Sequence, residues 1–175
     1  PRLLTRAVRY IYFAAHDDTL RECLWRTDGT PAGTRALTAH GTAWSLVPLG
    51  ASMMAAGYLL DSGEAALWRF DDGDPAAPVA GEALISAWGQ FPKSMVAAGS
   101  RIEIALSAPL YGTIVWRSDG TAAGTWGIGW GPAMATLLAA GPDEAGTRYL
   151  SVYTAGGREE LWALSPASGA LRLTG

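Results

Sequence analysis

Hydrophobic and polar residues alternate along several short stretches of this chain, with turn-forming residues between the stretches. The clearest examples are residues 9–15 (RYIYFAA), 101–107 (RIEIALS) and 148–154 (RYLSVYT). Alternation with a period of two is typical of strands that are buried on one face. The alanine-rich stretch 133–140 has a helical composition, but Gly131-Pro132 and Gly141-Pro142 bracket it too closely for a typical helix. The pattern therefore predicts an all-β chain.

These stretches belong to a unit that is repeated four times, and a tryptophan marks the same position in each copy. The four are Trp25, Trp68, Trp116 and Trp162, which subtraction of their numbers places 43, 48 and 46 residues apart. A period of about 45 residues with strand-like content is typical of β-propeller blades, each a four-stranded antiparallel sheet. We predict four such blades over residues 1–43, 44–92, 93–133 and 134–175, forming a single array over residues 1–175.

Each tryptophan follows a stretch of small apolar residues, such as 95–99 (MVAAG) and 137–141 (LLAAG). Small side chains suit the innermost strand of a blade, where neighbouring blades approach closely. If this stretch is the first strand of every blade, the chain begins at an inner strand and ends at an outer strand. No strand is then left over to join the first and last blades. The chain then either closes by packing alone or is part of a larger ring. Because open blade faces would be apolar, we favour the larger ring, for example of eight blades, completed by a second copy or by the remainder of a longer chain.

An Asp-Gly pair follows the tryptophan in two copies, in TDGT (27–30) and SDGT (118–121). Gly29 and Gly120 can adopt the positive φ that such a turn needs. Asp28 and Asp119 can accept hydrogen bonds from the amides just ahead of them, which closes the turn without a ligand. We therefore predict that these four residues, like the four tryptophans, have a structural role.

The phrases LWRTDGTPAGT (24–34) and VWRSDGTAAGT (115–125) resemble the ELWxxDGT repeat, which is found in tandem in bacterial proteins that are often secreted or associated with the cell envelope. The fourth copy keeps Glu160, Leu161 and Trp162 of that repeat but lacks its DGT turn. The resemblance implies a propeller-type array, and it implies a location outside the cell or in the bacterial envelope.

Composition excludes some partners. The 175 residues are 49% hydrophobic and 17% charged, with a formal net charge of −3. Nucleic acid and anionic membrane surfaces are bound by clustered Lys and Arg, which this chain lacks. The longest apolar stretch, residues 46–60, contains Pro48 and two glycines and falls short of the roughly 20 residues that span a bilayer. We expect no nucleic-acid binding and no membrane insertion.

Candidate catalytic and metal-binding residues are few. His16, Asp17 and Asp18 form one polar cluster, and the acidic residues Asp71, Asp72, Asp74 and Glu82 form another. Neither has the spacing of a zinc or calcium site, and no catalytic motif is present. We predict no metal, no cofactor and no catalytic residue, and we expect the single cysteine, Cys23, to be buried as a small apolar residue.

Two classes of function remain. The first is a non-enzymatic binding or scaffolding propeller with a protein or carbohydrate ligand, to which Trp126 and Trp130 would contribute. Their alternation with Gly127 and Gly129 predicts two indoles on one strand face, which either stack on sugar rings or, as we prefer, pack between blades. The alternative is a polysaccharide hydrolase or lyase with paired loop carboxylates. Its candidates are Asp17, Asp18, Asp61, Glu64, Asp143 and Glu144. The absence of catalytic motifs favours the binding module.

Overall fold

The structure is a computed structural model. It describes residues 1–38, 41–58, 66–71, 82–85, 91–108, 112–131, 135–137, 147–153, 157–165 and 169–174. Within these ranges every regular element is a β-strand and none is a helix, so the all-β prediction is confirmed. In the same ranges no helix is long and apolar enough to cross a membrane.

In the part of the chain that the structure describes, sixteen strands form four antiparallel sheets, and within each sheet every strand pairs with the one that follows it in sequence. Sheet 1 contains β1 (Arg2–Arg6), β2 (Ile11–His16), β3 (Glu22–Thr27) and β4 (Arg35–Ala36). Sheet 2 contains β5 (Thr42–Leu49), β6 (Ser52–Tyr58), β7 (Ala66–Asp71) and β8 (Glu82–Ile85). Sheet 3 contains β9 (Phe91–Ala98), β10 (Arg101–Ala108), β11 (Gly112–Ser118) and β12 (Trp126–Gly131). Sheet 4 contains β13 (Ala135–Leu137), β14 (Arg148–Tyr153), β15 (Glu159–Ser165) and β16 (Gly169–Arg172). The prediction of four four-stranded sheets is confirmed.

The chain folds as two compact units. The first consists of residues 1–89 with 120–122, and it contains sheets 1 and 2. The second consists of residues 90–119 with 123–175, and it contains sheets 3 and 4. The packing of each unit is described separately below.

Strand register makes the four sheets directly comparable. The repeated tryptophans lie on the third strand of their sheets, opposite Phe13, Ala55, Ile104 and Leu150 of the second strands. Successive residues of a strand point to opposite faces of the sheet. Each sheet therefore has a face that carries the repeat tryptophan, called here the Trp face. The opposite face carries the residue just before the tryptophan and is called here the Leu face; those residues are Leu24, Leu67, Val115 and Leu161.

In the first unit the Leu face of sheet 1 packs against the Trp face of sheet 2. Tyr12 and Leu24 from sheet 1 share one buried apolar cluster with Met53, Trp68 and Phe70 from sheet 2. Burial of large apolar side chains is worth about 1.5–3 kcal/mol each, so this cluster is a main source of stability for the unit.

Sheets 3 and 4 of the second unit pack in the same sense. Ala105 and Val115 from the Leu face of sheet 3 form a cluster with Leu150 and Trp162 from the Trp face of sheet 4. Two separate units thus show one packing rule, in which the Leu face of the earlier sheet covers the Trp face of the later one.

Candidate binding surface

The Asp-Gly turn of the first repeat is closed by its own side chains. Asp28 Oδ1 accepts hydrogen bonds from the amide and the hydroxyl of Thr30, at 2.9 and 2.7 Å. These bonds hold the pKa of the Asp28 carboxyl below its usual value, the hydroxyl contributing most. Gly29 has a φ of 95°, which other residues resist. The turn therefore uses its carboxylate to hold the backbone, which supports the predicted structural role of Asp28 and Gly29.

The second half of the motif, the Gly-Thr pair, completes the same turn. A Cβ atom at Gly33 would overlap the Asp28 carboxylate, so the glycine leaves the space that the carboxylate occupies. The hydroxyl groups of Thr27 and Thr34 lie 2.6 Å apart and join the two ends of the turn. The xxDGTxxGT spacing is thus explained by contacts among the motif's own residues.

The third repeat builds its turn in the same way. The hydroxyl oxygens of Ser118 and Thr125 are 2.6 Å apart, as those of Thr27 and Thr34 are in the first repeat. Gly120 has a φ of 90°, and a Cβ atom at Gly124 would overlap the Asp119 carboxylate. These contacts support a structural role for Asp119 and Gly120 as well.

Asp17, a candidate general acid or metal ligand, is also occupied by local contacts. Its Oδ1 accepts hydrogen bonds from the Thr19 amide, the Thr19 hydroxyl and the Arg21 amide, at 2.9, 2.7 and 2.9 Å. The Thr19 hydroxyl bond, followed by the Arg21 amide bond, holds the pKa of Asp17 at about 2. A carboxyl with so low a pKa is a poor general acid near neutral pH, because that role requires a raised value.

The other polar candidates do not converge. His16 is the exposed last residue of β2, and Asp18 is exposed in the loop that follows it. Asp71 accepts a hydrogen bond of 2.7 Å from the Ser52 hydroxyl and forms an ion pair with Arg69. Among the described residues no group of three or more His, Cys, Asp or Glu residues is placed to hold a metal ion. Glu82 lies in β8, and Asp61, Glu64, Asp72, Asp74, Asp143 and Glu144 lie outside the described residues.

Cys23 is buried, as predicted. Burial raises the pKa of its thiol, and the nearby Asp17 carboxylate adds to the effect. A thiol with a raised pKa is a weak nucleophile near neutral pH, which agrees with its interpretation as a small core residue.

Trp126 carries the most exposed indole of the described tryptophans, with 48% of the residue accessible to solvent. It begins β12, directly opposite Arg117 in the register of sheet 3. The central carbon of the Arg117 guanidinium lies 5.8 Å from the centroid of the indole, which is within the range of a cation–π contact. An exposed indole held at one side by a guanidinium can stack on an apolar or sugar surface.

Arg117 is in turn held by a buried carboxylate. Glu103, on the neighbouring strand β10, is fully buried, and its Oε1 accepts a hydrogen bond of 2.8 Å from Arg117 Nη2. Charge-assisted hydrogen bonds of this kind are strong and directional. Glu103, Arg117 and Trp126 therefore form a chain of contacts from the interior of sheet 3 to its surface, called here the Trp126 cluster.

The sequence indicated Trp126 but not the two residues behind it. The sequence did contain a signal for Arg117 and Glu103, since Arg follows the repeat Trp in three repeats and Glu103 interrupts an apolar strand. What sequence alone lacked was the register that places Glu103 directly opposite Arg117.

The prediction that Trp126 and Trp130 share a strand face assumes an uninterrupted alternation along β12. In the register of sheet 3, position 126 pairs with Arg117 and position 130 pairs with Ile114, with a register shift between the two pairs. The shift is a bulge that leaves one extra residue in β12, so the alternation is interrupted between these two positions.

Comparisons with known proteins give a fold but no family. No family model and no curated protein matches the chain. Among solved structures, an acylaminoacyl peptidase from Pyrococcus horikoshii matches with a TM-score of 0.60 and 12% sequence identity over 95% of this chain. The oligopeptidase B from Leishmania major matches with a TM-score of 0.46 and 12% identity over 94% of the chain. The chain spans 26% and 32% of the lengths of these two proteins. The similarity is one of fold.

Proposed function

We propose that this chain is a propeller-type binding module of a secreted or envelope-associated bacterial protein, and that the Trp126 cluster is its carbohydrate-binding site. In this proposal the four sheets are the blades of a propeller. The repeat of four four-stranded antiparallel sheets and the similarity of fold to part of the P. horikoshii peptidase support the architecture. The resemblance of residues 24–34 and 115–125 to the ELWxxDGT repeat supports the location.

The observation that carries the binding proposal is the exposed indole of Trp126 with the Arg117 guanidinium against it. Most large aromatic side chains of soluble proteins are used in cores and interfaces. Here an indole lies at the surface, and a buried carboxylate fixes the guanidinium beside it. A preorganised aromatic surface binds with a smaller loss of conformational entropy than a mobile one.

The same residues can bind a protein ligand, but carbohydrate is the better match. The guanidinium supplies hydrogen-bond donors to hydroxyl groups next to an aromatic ring, which is the combination that sugar rings require. The hydrolase alternative has less support, because the low pKa of Asp17 does not suit an acid catalyst.

A glycan array followed by titration calorimetry tests this proposal. We expect binding of at least one bacterial surface polysaccharide or its fragments, and we expect Trp126→Ala to weaken it roughly 10-fold or more, since aromatic contacts at interfaces are commonly worth more than 1 kcal/mol. Trp126→Phe should retain part of the affinity. The matched control is Tyr153→Ala, which removes another exposed aromatic residue from a different sheet. Absence of binding to every glycan, or equal binding by Trp126→Ala, would contradict the proposal.

A further inference from the structure

Two sheet faces of this chain are exposed although the equivalent positions of other sheets are buried. The first is the Trp face of sheet 1. Ile11 on this face is 38% exposed, whereas Met53, which occupies the same position in sheet 2, is 0% exposed. Leu4 and the charged Arg6 are also exposed on β1. This face is open to solvent around Ile11, where its counterpart in the same unit is core, whereas Cys23 on the same face is 1% exposed.

The second exposed surface is the Leu face of sheet 4. Tyr149 is 36% exposed, whereas Tyr12, at the same position of sheet 1, is 0% exposed. Leu173 is 45% exposed. Its counterpart in sheet 1 is Leu37, which packs against the core of the first unit.

The equivalence of Leu173 and Leu37 follows from the hydrogen bonds of the backbone. The Leu37 amide donates to the Leu24 carbonyl at 2.7 Å, and the Leu173 amide donates to the Leu161 carbonyl at 2.8 Å. Leu24 and Leu161 each directly precede their repeat tryptophan. The same side-chain position is therefore core in sheet 1 and surface in sheet 4.

The packing rule of the two units identifies what can cover these faces. In each unit a Leu face packs against the Trp face of the next sheet. An exposed Leu face on sheet 4 and an exposed Trp face on sheet 1 are thus the two complementary halves of the same kind of interface. They also carry exposed charges of opposite sign, Arg6 on the Trp face and Glu159 on the Leu face.

We propose that a second copy of this chain covers both faces, with sheet 4 of each copy packed against sheet 1 of the other. A contact between two different faces forms a closed ring when the rotation between copies closes. Two chains paired in this way have two identical interfaces, each between sheet 4 of one copy and sheet 1 of the other. This inference rests on the propeller architecture of the proposed function, but it is independent of any ligand at Trp126.

The first test is the mass of the full chain in solution. Light scattering and sedimentation equilibrium should give twice 18.3 kDa. Ile11→Lys and Tyr149→Lys should each weaken self-association roughly 100-fold, because each places an unpaired charge in an apolar interface. The control is Leu20→Lys, since Leu20 is 83% exposed but lies in the β2–β3 loop and on neither face. A wild-type monomer, or an open series of larger species, would overturn the proposal.

The second test remains informative if a lysine variant does not fold. Chains with Ile11→Cys and chains with Leu173→Cys are mixed, joined by a short bis-maleimide linker and identified by mass spectrometry. We expect mixed pairs of the two variants to exceed pairs of either variant with itself. A preference for like pairs would contradict the proposed contact between different faces. Because neither position belongs to the Trp126 cluster, glycan binding and self-association can fail independently.

Discussion

At the scale of single residues, the arginine that follows the repeat tryptophan has a different partner in different repeats. In the third repeat Arg117 pairs with the buried carboxylate of Glu103. In the first repeat the residue opposite Arg26 is Tyr12, and the guanidinium lies 4.1 Å from the centroid of the Tyr10 ring. Arg26 is buried, and within the described residues its Nε and Nη1 have no hydrogen-bond partner. The same repeat position thus pairs with a buried carboxylate in one sheet, and in another it packs on an aromatic ring and acts on the exposed Asp28 carboxylate.

This contrast predicts different outcomes for the same substitution. Arg117→Met leaves the Glu103 carboxylate buried without its arginine, and we expect it to lower the free energy of unfolding by about 3 kcal/mol. Arg26→Met removes a buried guanidinium that packs on the Tyr10 ring and whose charge acts on the exposed Asp28 carboxylate, and we expect a change within about 1 kcal/mol of the wild type. Urea denaturation of the two variants measures the difference. Equal losses would show that Arg26 is compensated by contacts comparable to those of Arg117.

The hydrogen bonds of Asp17 predict a dependence of stability on pH. Its pKa is lowered to about 2 from the usual aspartate value of 3.8, so its contribution to stability is fully present above pH 4 and is lost as the pH falls towards 2. Asp17→Asn should reduce the loss of stability between pH 4 and pH 2, as measured by urea denaturation across that range. The control is Asp18→Asn at the exposed neighbouring position, which should follow the wild-type profile. If the free energy of unfolding of Asp17→Asn had the same pH dependence as that of the wild type, the proposed contribution of the Asp17 carboxylate to stability would be contradicted.

Among the elements, the xxDGTxxGT turn joins the third and fourth strands of sheets 1 and 3, and it is held by contacts among its own residues. Its carboxylate, hydroxyl groups and two glycines satisfy one another through short-range contacts. A motif of this kind can be read from sequence, because all of its partners lie within a few residues. The bulge in β12 is the opposite case, since it depends on the pairing of that strand with β11.

The turn predicts a coupling between Gly33 and Asp28. Gly33→Ala adds a Cβ atom that displaces the Asp28 carboxylate, and we expect a loss of about 1–2 kcal/mol in the free energy of unfolding. In the Asp28→Ala background the same substitution should cost less, because the space is then free. Thermal and urea denaturation of the four chains of this cycle measure the coupling. Ala32→Ser, at an exposed position in the same turn, is the control. If the effects of Gly33→Ala and Asp28→Ala on the free energy of unfolding were additive, the explanation that Gly33 leaves space for the Asp28 carboxylate would be refuted.

At the scale of the whole molecule, the positions of the exposed apolar residues form a pattern. Among the described residues, Leu4 and Ile11 lie in strands of sheet 1 and Tyr149, Tyr153 and Leu173 belong to the repeat of sheet 4, whereas Val8 and Leu20 lie between strands of the first repeat and Trp126 begins β12. Positions equivalent to Ile11 and Tyr149 are buried in other sheets, so their exposure does not follow from the composition of the repeat. Self-association accounts for it physically, because it removes apolar surface from water.

Self-association also predicts that stability depends on protein concentration. Mass action raises the midpoint of thermal unfolding when a folded dimer dissociates on unfolding, by about 2 °C for each tenfold increase in concentration of a chain of this size. Ile11→Lys should abolish this dependence, whereas Leu20→Lys should retain it. Differential scanning calorimetry over two decades of concentration provides the measurement. A wild-type midpoint that does not change with concentration would contradict the proposal.

The sequence by itself determined the number, type and phase of the sheets, because period-two alternation, Asp-Gly turns and repeat spacing are signals that each short stretch carries alone. It also indicated Trp126 and the burial of Cys23. Only the tertiary structure decided which face of each sheet is covered, which residue lies opposite each repeat arginine, and where the bulge separates Trp126 from Trp130. Those features depend on strand register and on the neighbouring sheet, which bring together residues that are far apart in sequence.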